Sequence, residues 1–120
     1  MSHNVRLLDP VSREPLHTEA PHRMIGGTYT LGGTTELWLN VTYNYYSVLS
    51  RPDILGEKGI EHIYGLSGAE SLPLLKRAAS NLGDDVDEDY WKPTEGNVKR
   101  ALMNLIAMAS LRPDGIWDGD

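Results

Sequence analysis

The chain has no cysteine and no phenylalanine among its 120 residues. The first absence excludes a disulfide framework and a thiolate zinc site, and fits a reducing, cytosolic setting. The second leaves aromatic packing to 6 tyrosines and 3 tryptophans, rings that bury one end and hydrogen-bond with the other. No apolar run reaches the length of a membrane span or a signal-peptide core, because the patch in residues 1–10 is broken by Arg6 and Asp9. The expectation is a soluble, cytoplasmic protein without membrane contact. Basic clusters are absent too. Residues 1–83 hold 7 Lys+Arg against 8 Asp+Glu and residues 84–120 hold 4 against 9, so the net charge of -6 sits in the C-terminal third. Direct nucleic-acid binding needs cations that displace counterions from phosphate, and is not expected.

What is present suits one domain of 120 residues with a modest core, at 40% hydrophobic residues and 12 glycines. Val5-Arg6-Leu7-Leu8, followed by Asp9-Pro10 and a return through Pro15-Leu16, reads as a hairpin arm over residues 1–23. A second hairpin is expected over 24–44, turning at Gly32-Gly33, with Gly26-Gly27 marking a bulge. From Tyr45 to residue 120 the pattern turns helical, with short pieces at 45–50 and 59–64. Ser67-Gly68-Ala69-Glu70 has capping-box spacing before the stripe Leu72, Leu75, Ala79 and Leu82. Pro73 leaves the start open between Ser67 and Ser71. After the acidic run Asp84, Asp85, Asp87, Glu88 and Asp89, Thr94 caps a second long helix. That helix is apolar nearly all round from Ala101 to Leu111, so it is expected to be enclosed. Strands first and helices second predict an α+β fold, a small antiparallel sheet of N-terminal hairpins packed on C-terminal helices.

The segment Trp38-Leu39-Asn40-Val41-Thr42-Tyr43-Asn44 stands out. Strand alternation places Asn40, Thr42 and Asn44 on one face and Leu39, Val41 and Tyr43 on the other. Asparagine resists strand formation, so a ligand-recognition face is one reading; tying down backbone where strand meets helix is the other. Trp38 and Trp91 are the candidates for stacking on a planar ligand. Helix starts near Gly68-Ala69 and Gly96-Asn97, with Ser67, Thr94 and Asn97 beside them, are candidates for anion contact. Arg100 and Arg112 are candidate cations for the same task. Glu70 and Asp114 are the only broad acid-base candidates, and no complete catalytic or cofactor signature accompanies them. Gly65-Leu66-Ser67-Gly68-Ala69 is no nucleophile elbow, because no histidine follows His62. His3, His17, His22 and His62 lack metal-ligand spacing, and Asp114, Asp118 and Asp120 are expected to stay solvated on a frayed tail.

The blocks Leu39-Asn40-Val41-Thr42-Tyr43-Asn44-Tyr45, Tyr64-Gly65-Leu66-Ser67-Gly68-Ala69-Glu70-Ser71, Tyr90-Trp91-Lys92-Pro93-Thr94-Glu95-Gly96-Asn97 and Arg112-Pro113-Asp114-Gly115-Ile116-Trp117-Asp118-Gly119-Asp120 resemble a family of small proteins encoded by phages and prophages. That family has no assigned activity, so the resemblance implies context alone: a phage accessory protein, a class that often counters host defence. The leading expectation is a non-enzymatic binder of a small polar or nucleotide-like ligand, in a pocket shared between protomers of a homo-oligomer. The alternatives are a small enzyme using Glu70 or Asp114, and an inhibitor of a host protein or a virion component.

Overall fold

A computed structural model describes residues 2–22 and 33–120. The fold is α+β. Its main sheet contains β1 (Ser2–Leu8), β4 (Trp38–Thr42) and β5 (Ile116–Asp118), in the order β4-β1-β5 and antiparallel throughout. A separate two-stranded ribbon pairs β2 (His17–His22) with β3 (Thr34–Glu36). Two helices, α2 (Gly68–Ser80) and α3 (Glu95–Leu111), follow the short helix α1 (Tyr46–Leu49). Val5, Leu7, Leu39, Val41 and Trp117 carry the sheet's inner face into one core with Leu75, Val98, Leu102, Leu105 and Met108.

Four expectations are corrected by this arrangement. The first strand is no peripheral arm, because Val5 and Leu7 are fully buried and β1 is the central strand of the sheet. The strand expected over 34–43 is divided at Leu37, with β3 pairing to β2 and β4 pairing to β1. At the division three buried leucines form a closed ring of main-chain bonds: Leu7 N–H donates to Leu37, Leu37 to Leu16, and Leu16 to Leu7, at 2.9, 2.9 and 3.0 Å. The C-terminal residues are no frayed tail, since β5 pairs Arg6 with Asp118 and Leu7 with Trp117. Trp117 is buried, and its indole N–H donates to Ser71 Oγ at 2.7 Å. Finally, α3 is enclosed on one side only, for Met103 and Leu111 are 49% and 58% exposed. The expected strand over 24–31, its Gly26-Gly27 bulge and Gly32 of the turn lie outside the described residues.

Ser67 is the cap of α2, with both halves of the capping box in place. The helix continues through Pro73, which lies beyond its first turn. The segment after α3 docks on this start: Gly68 N–H donates to the Gly115 carbonyl at 2.8 Å and Ala69 N–H to that of Pro113 at 3.0 Å. The acidic segment 84–89 docks on the start of α3 through side chains instead: the Asp85 carboxylate accepts the Gly96 N–H and Asn97 Oδ1 accepts the Asp87 N–H, each at 3.1 Å. A Cβ at Gly96 would lie 2.6 Å from the main chain of Asp85 and Val86, so glycine there is what lets the two backbones touch.

Candidate functional site

The expected alternation holds in β4 as far as Thr42, and over that span the polar face is covered. The strand ends there, so Tyr43, expected on the apolar face, is 42% exposed in a 3-10 turn, and Asn44 in the same turn is exposed as well. Asn40 and Thr42 are 4% and 2% exposed. Asn40 Nδ2 donates to Ser2 Oγ at 2.6 Å and to Asn4 Oδ1 at 2.9 Å, knitting the first and fourth strands together; its own Oδ1 is buried without a partner among the described residues. Thr42 Oγ1 accepts the Asn44 N–H at 3.2 Å, capping the 3-10 turn that follows. Asn44 Nδ2 donates to the Trp91 carbonyl at 2.9 Å. Tyr90 comes against the free edge of β4 and its hydroxyl donates to the Asn40 carbonyl at 3.0 Å, which satisfies an edge-strand acceptor. Burial pushes the Tyr90 phenol up to about 12. Tyr45, fully buried beneath it, donates to the Tyr90 carbonyl at 2.6 Å, and burial raises its pKa further.

The helix-start residues are equally committed to the fold. Ser67 Oγ accepts the Glu70 N–H at 3.0 Å while the Glu70 carboxylate accepts the Ser67 N–H at 2.9 Å. Those bonds hold the Glu70 carboxyl below its ordinary range. Thr94 Oγ1 accepts the Asn97 N–H at 3.1 Å, and the anion at this helix start is the protein's own Asp85, whose carboxylate takes the Gly96 N–H at 3.1 Å. Both starts are therefore closed to a foreign anion. Asn97 is buried and holds the preceding loop through three bonds, to Asp87, Asp89 and Lys92.

The remaining candidates do not converge. Trp38 lines a shallow dent of about 230 Å³ with Asn4, Arg6 and Glu36, whereas Trp91 packs edge-on against Tyr90 with ring centroids 6.0 Å apart. Arg100 and Arg112 lie twelve residues apart in sequence, which at the helical rise puts about 18 Å between their main-chain positions. Arg100 is exposed and makes no ion pair among the described residues. Arg112 grips Asp114 in a two-bond fork of 3.0 and 2.9 Å, which holds the Asp114 carboxyl low.

Among the predicted residues, Arg112 borders a cleft larger in volume than the hollows beside Trp38 and Arg100. Between β2 and the end of α3 lies an open hollow of about 500 Å³, lined by His17, Thr18, Glu19, Ala20, Leu37, Leu111 and Arg112. Its lining combines the apolar Ala20, Leu37 and Leu111 with the polar His17, Thr18, Glu19 and Arg112. His17 is held by Nδ1 against Thr35 Oγ1 at 2.8 Å, and Thr18 Oγ1 donates to the Ala20 carbonyl at 2.6 Å. Sequence reasoning missed the contribution of β2, because His17–His22 has no alternating apolar pattern to mark it as a wall. The fork to Asp114 uses two of Arg112's five N–H groups, so three are left to donate. Fold and site together define a small α+β domain in which Arg112 edges the cleft between β2 and the end of α3, while Lys99 and Arg100 edge a smaller hollow of about 300 Å³ with Asp84, Val86, Gly96 and Met103. Comparison with protein-family models, with curated proteins and with solved structures finds no match for this chain.

Proposed function

We propose that the protein is a non-enzymatic binder that takes a small polar ligand with an anionic group, nucleotide-like in chemistry, into the cleft between β2 and the end of α3. The observation that carries this reading is Arg112, which presents unspent N–H donors beside the apolar surface of Leu37 and Leu111 in a hollow of about 500 Å³, a volume suited to a small molecule. The reading of Glu70 or Asp114 as a general acid or base loses support from the same geometry. Each carboxyl is held below its ordinary range by a partner already in place, which disfavours a proton donor at neutral pH. The resemblance to phage-encoded proteins extends the proposal to a setting: sequestration of a defence-related molecule in the cytoplasm of the infected host.

A second reading, contact with another copy of the chain, is favoured by the outward face of α3, where Met103 and Leu111 stay exposed. One measurement addresses both. Native mass spectrometry of freshly isolated protein reports retained ligand and copy number together, and calorimetric titration with a nucleotide panel then measures affinity. The expected result is an intact ligand, released unchanged by heat, with affinity reduced at least about tenfold in Arg112→Gln. Chemically altered product would establish an enzyme instead. No retained mass and no heat with any member of the panel would overturn the cleft as a nucleotide-like site.

A further inference from the structure

Another open hollow, about 430 Å³ and sharing no lining residue with the cleft, is bordered by His3, Tyr43, Tyr46 and Glu61. Its aromatic walls follow from local structure. Residues 43–45 form a 3-10 turn that runs into α1, and at that winding positions three apart fall on the same side. Tyr43 and Tyr46 are accordingly both on the surface, 42% and 52% exposed.

Each ring is nevertheless fixed in place. Tyr43 lies against the His3 ring with centroids 4.5 Å apart, and His3 Nδ1 is in turn 2.7 Å from the Asp120 carbonyl. The Tyr46 hydroxyl donates to the Glu57 carbonyl at 2.8 Å. Its ring also rests on Gly59, which has a φ of +58° and where a Cβ would come within 3.3 Å of Tyr46 Cδ2. The fourth border is Glu61, exposed and paired with no cation of the described residues.

Immobilised electron-rich rings beside an unpaired carboxylate match one chemistry in particular. A cation is drawn to the ring quadrupole and to the carboxylate at once. An anion is repelled by Glu61, and a neutral ring stacking on the tyrosines would gain nothing from the carboxylate. We propose that this hollow binds a compact organic cation, an alkylammonium head group seated between Tyr43, Tyr46 and Glu61.

The test is an NMR titration of the full chain with choline and, separately, with 3,3-dimethylbutan-1-ol, which has the same shape without the charge. Choline is expected to shift the ring signals of Tyr43 and Tyr46 saturably, with a dissociation constant at least about fivefold below that of the alcohol. Glu61→Gln should weaken choline by about threefold to tenfold and leave the alcohol unchanged. Tyr43→Leu combined with Tyr46→Leu should abolish the choline response. Equal affinity for choline and alcohol, no saturable shift with choline, or an unchanged choline constant in Glu61→Gln would each overturn the proposal. If the double tyrosine variant does not fold, the exposed Glu61→Gln change still decides. A parallel titration with N-acetyl-lysine methylamide separates sources of the same chemistry. Tighter binding than choline assigns the site to a lysine side chain of a protein partner, and weaker binding assigns it to a free quaternary ammonium.

Discussion

Replacing Asn97 by alanine should be the most damaging single polar truncation at the start of α3. The side chain is 3% exposed and fully used: Oδ1 accepts the Asp87 N–H at 3.1 Å, and Nδ2 donates to the carbonyls of Asp89 at 3.1 Å and Lys92 at 2.9 Å. A neutral hydrogen bond contributes about 1 kcal/mol net, so losing all three costs about 3 kcal/mol. For a chain of this size the unfolding entropy is about 0.25 kcal/mol/K, which converts that loss into a fall in Tm of about 12 °C. Urea unfolding followed by circular dichroism measures the first number, and a thermal melt the second. Amide exchange adds a local readout, because the Asp87 N–H should lose its protection while core amides keep theirs relative to the lowered global stability. Asn97→Asp sharpens the test. It keeps the shape and the acceptor but turns the two donors into an oxygen facing two carbonyls, beside a loop rich in carboxylates, so it should cost at least as much as alanine. A loss below about 1 kcal/mol in Asn97→Ala, or near-native stability in Asn97→Asp, would refute the reasoning that this amide anchors the loop.

Ser71→Ala should cost about 1–3 kcal/mol in urea unfolding, since it strands the buried indole N–H of Trp117; an unchanged midpoint would show that the bond contributes nothing. Asp9, Asp53, Glu70, Asp87, Glu95 and Asp114 are all held below their ordinary values of 3.8 or 4.5. Their contribution is present above those values and is lost as pH falls through the depressed ones, so the urea midpoint should drop between pH 7 and pH 3. In alkali the sign reverses. Tyr45, Tyr64 and Tyr90 have pKa values raised by burial above the ordinary 10.0, Tyr90 to about 12, so stability is complete below pH 10 and declines as pH rises towards 12. Tyrosinate absorbance that completes by pH 11 without unfolding would contradict this.

Much of the fold was readable from the chain because it is written in local signals. The capping box at Ser67 and the cap at Thr94 require only neighbouring residues, and both are where the spacing puts them. The α+β class follows from pattern order. Less readable were features decided by distant partners. Ile116–Asp118 is three residues between glycines, too short to announce a strand, and only its place beside β1 makes it one. The alternation in β4 is as expected from Leu39 to Thr42 and stops there, yet alternation does not say what covers a face. Nor does it announce Tyr90, from a loop whose acidic composition reads as solvated, which closes the edge of that strand through its bond to the Asn40 carbonyl. The same limit applies to function. Ser67, Thr94 and Asn97 carry hydrogen-bonding groups because helix starts and loops need them, which in sequence looks the same as groups set out for a ligand. Tyr43 and Tyr46 show the same limit: strand alternation carries Tyr43 to the apolar face, and only the 3-10 turn that begins at it puts the two rings on one side.

The position of β1 between β4 and β5 also sets an order of events during synthesis. Arg6 and Leu7 find their partners Asp118 and Trp117 more than a hundred residues downstream. Until those residues leave the ribosome, the middle of the sheet has a bare flank, and the indole that plugs the core beneath α2 is missing. Closure of the structure is thus tied to nearly the whole span from residue 6 to residue 118, and folding should be governed by that long-range encounter rather than by the helices, which can wind as they emerge.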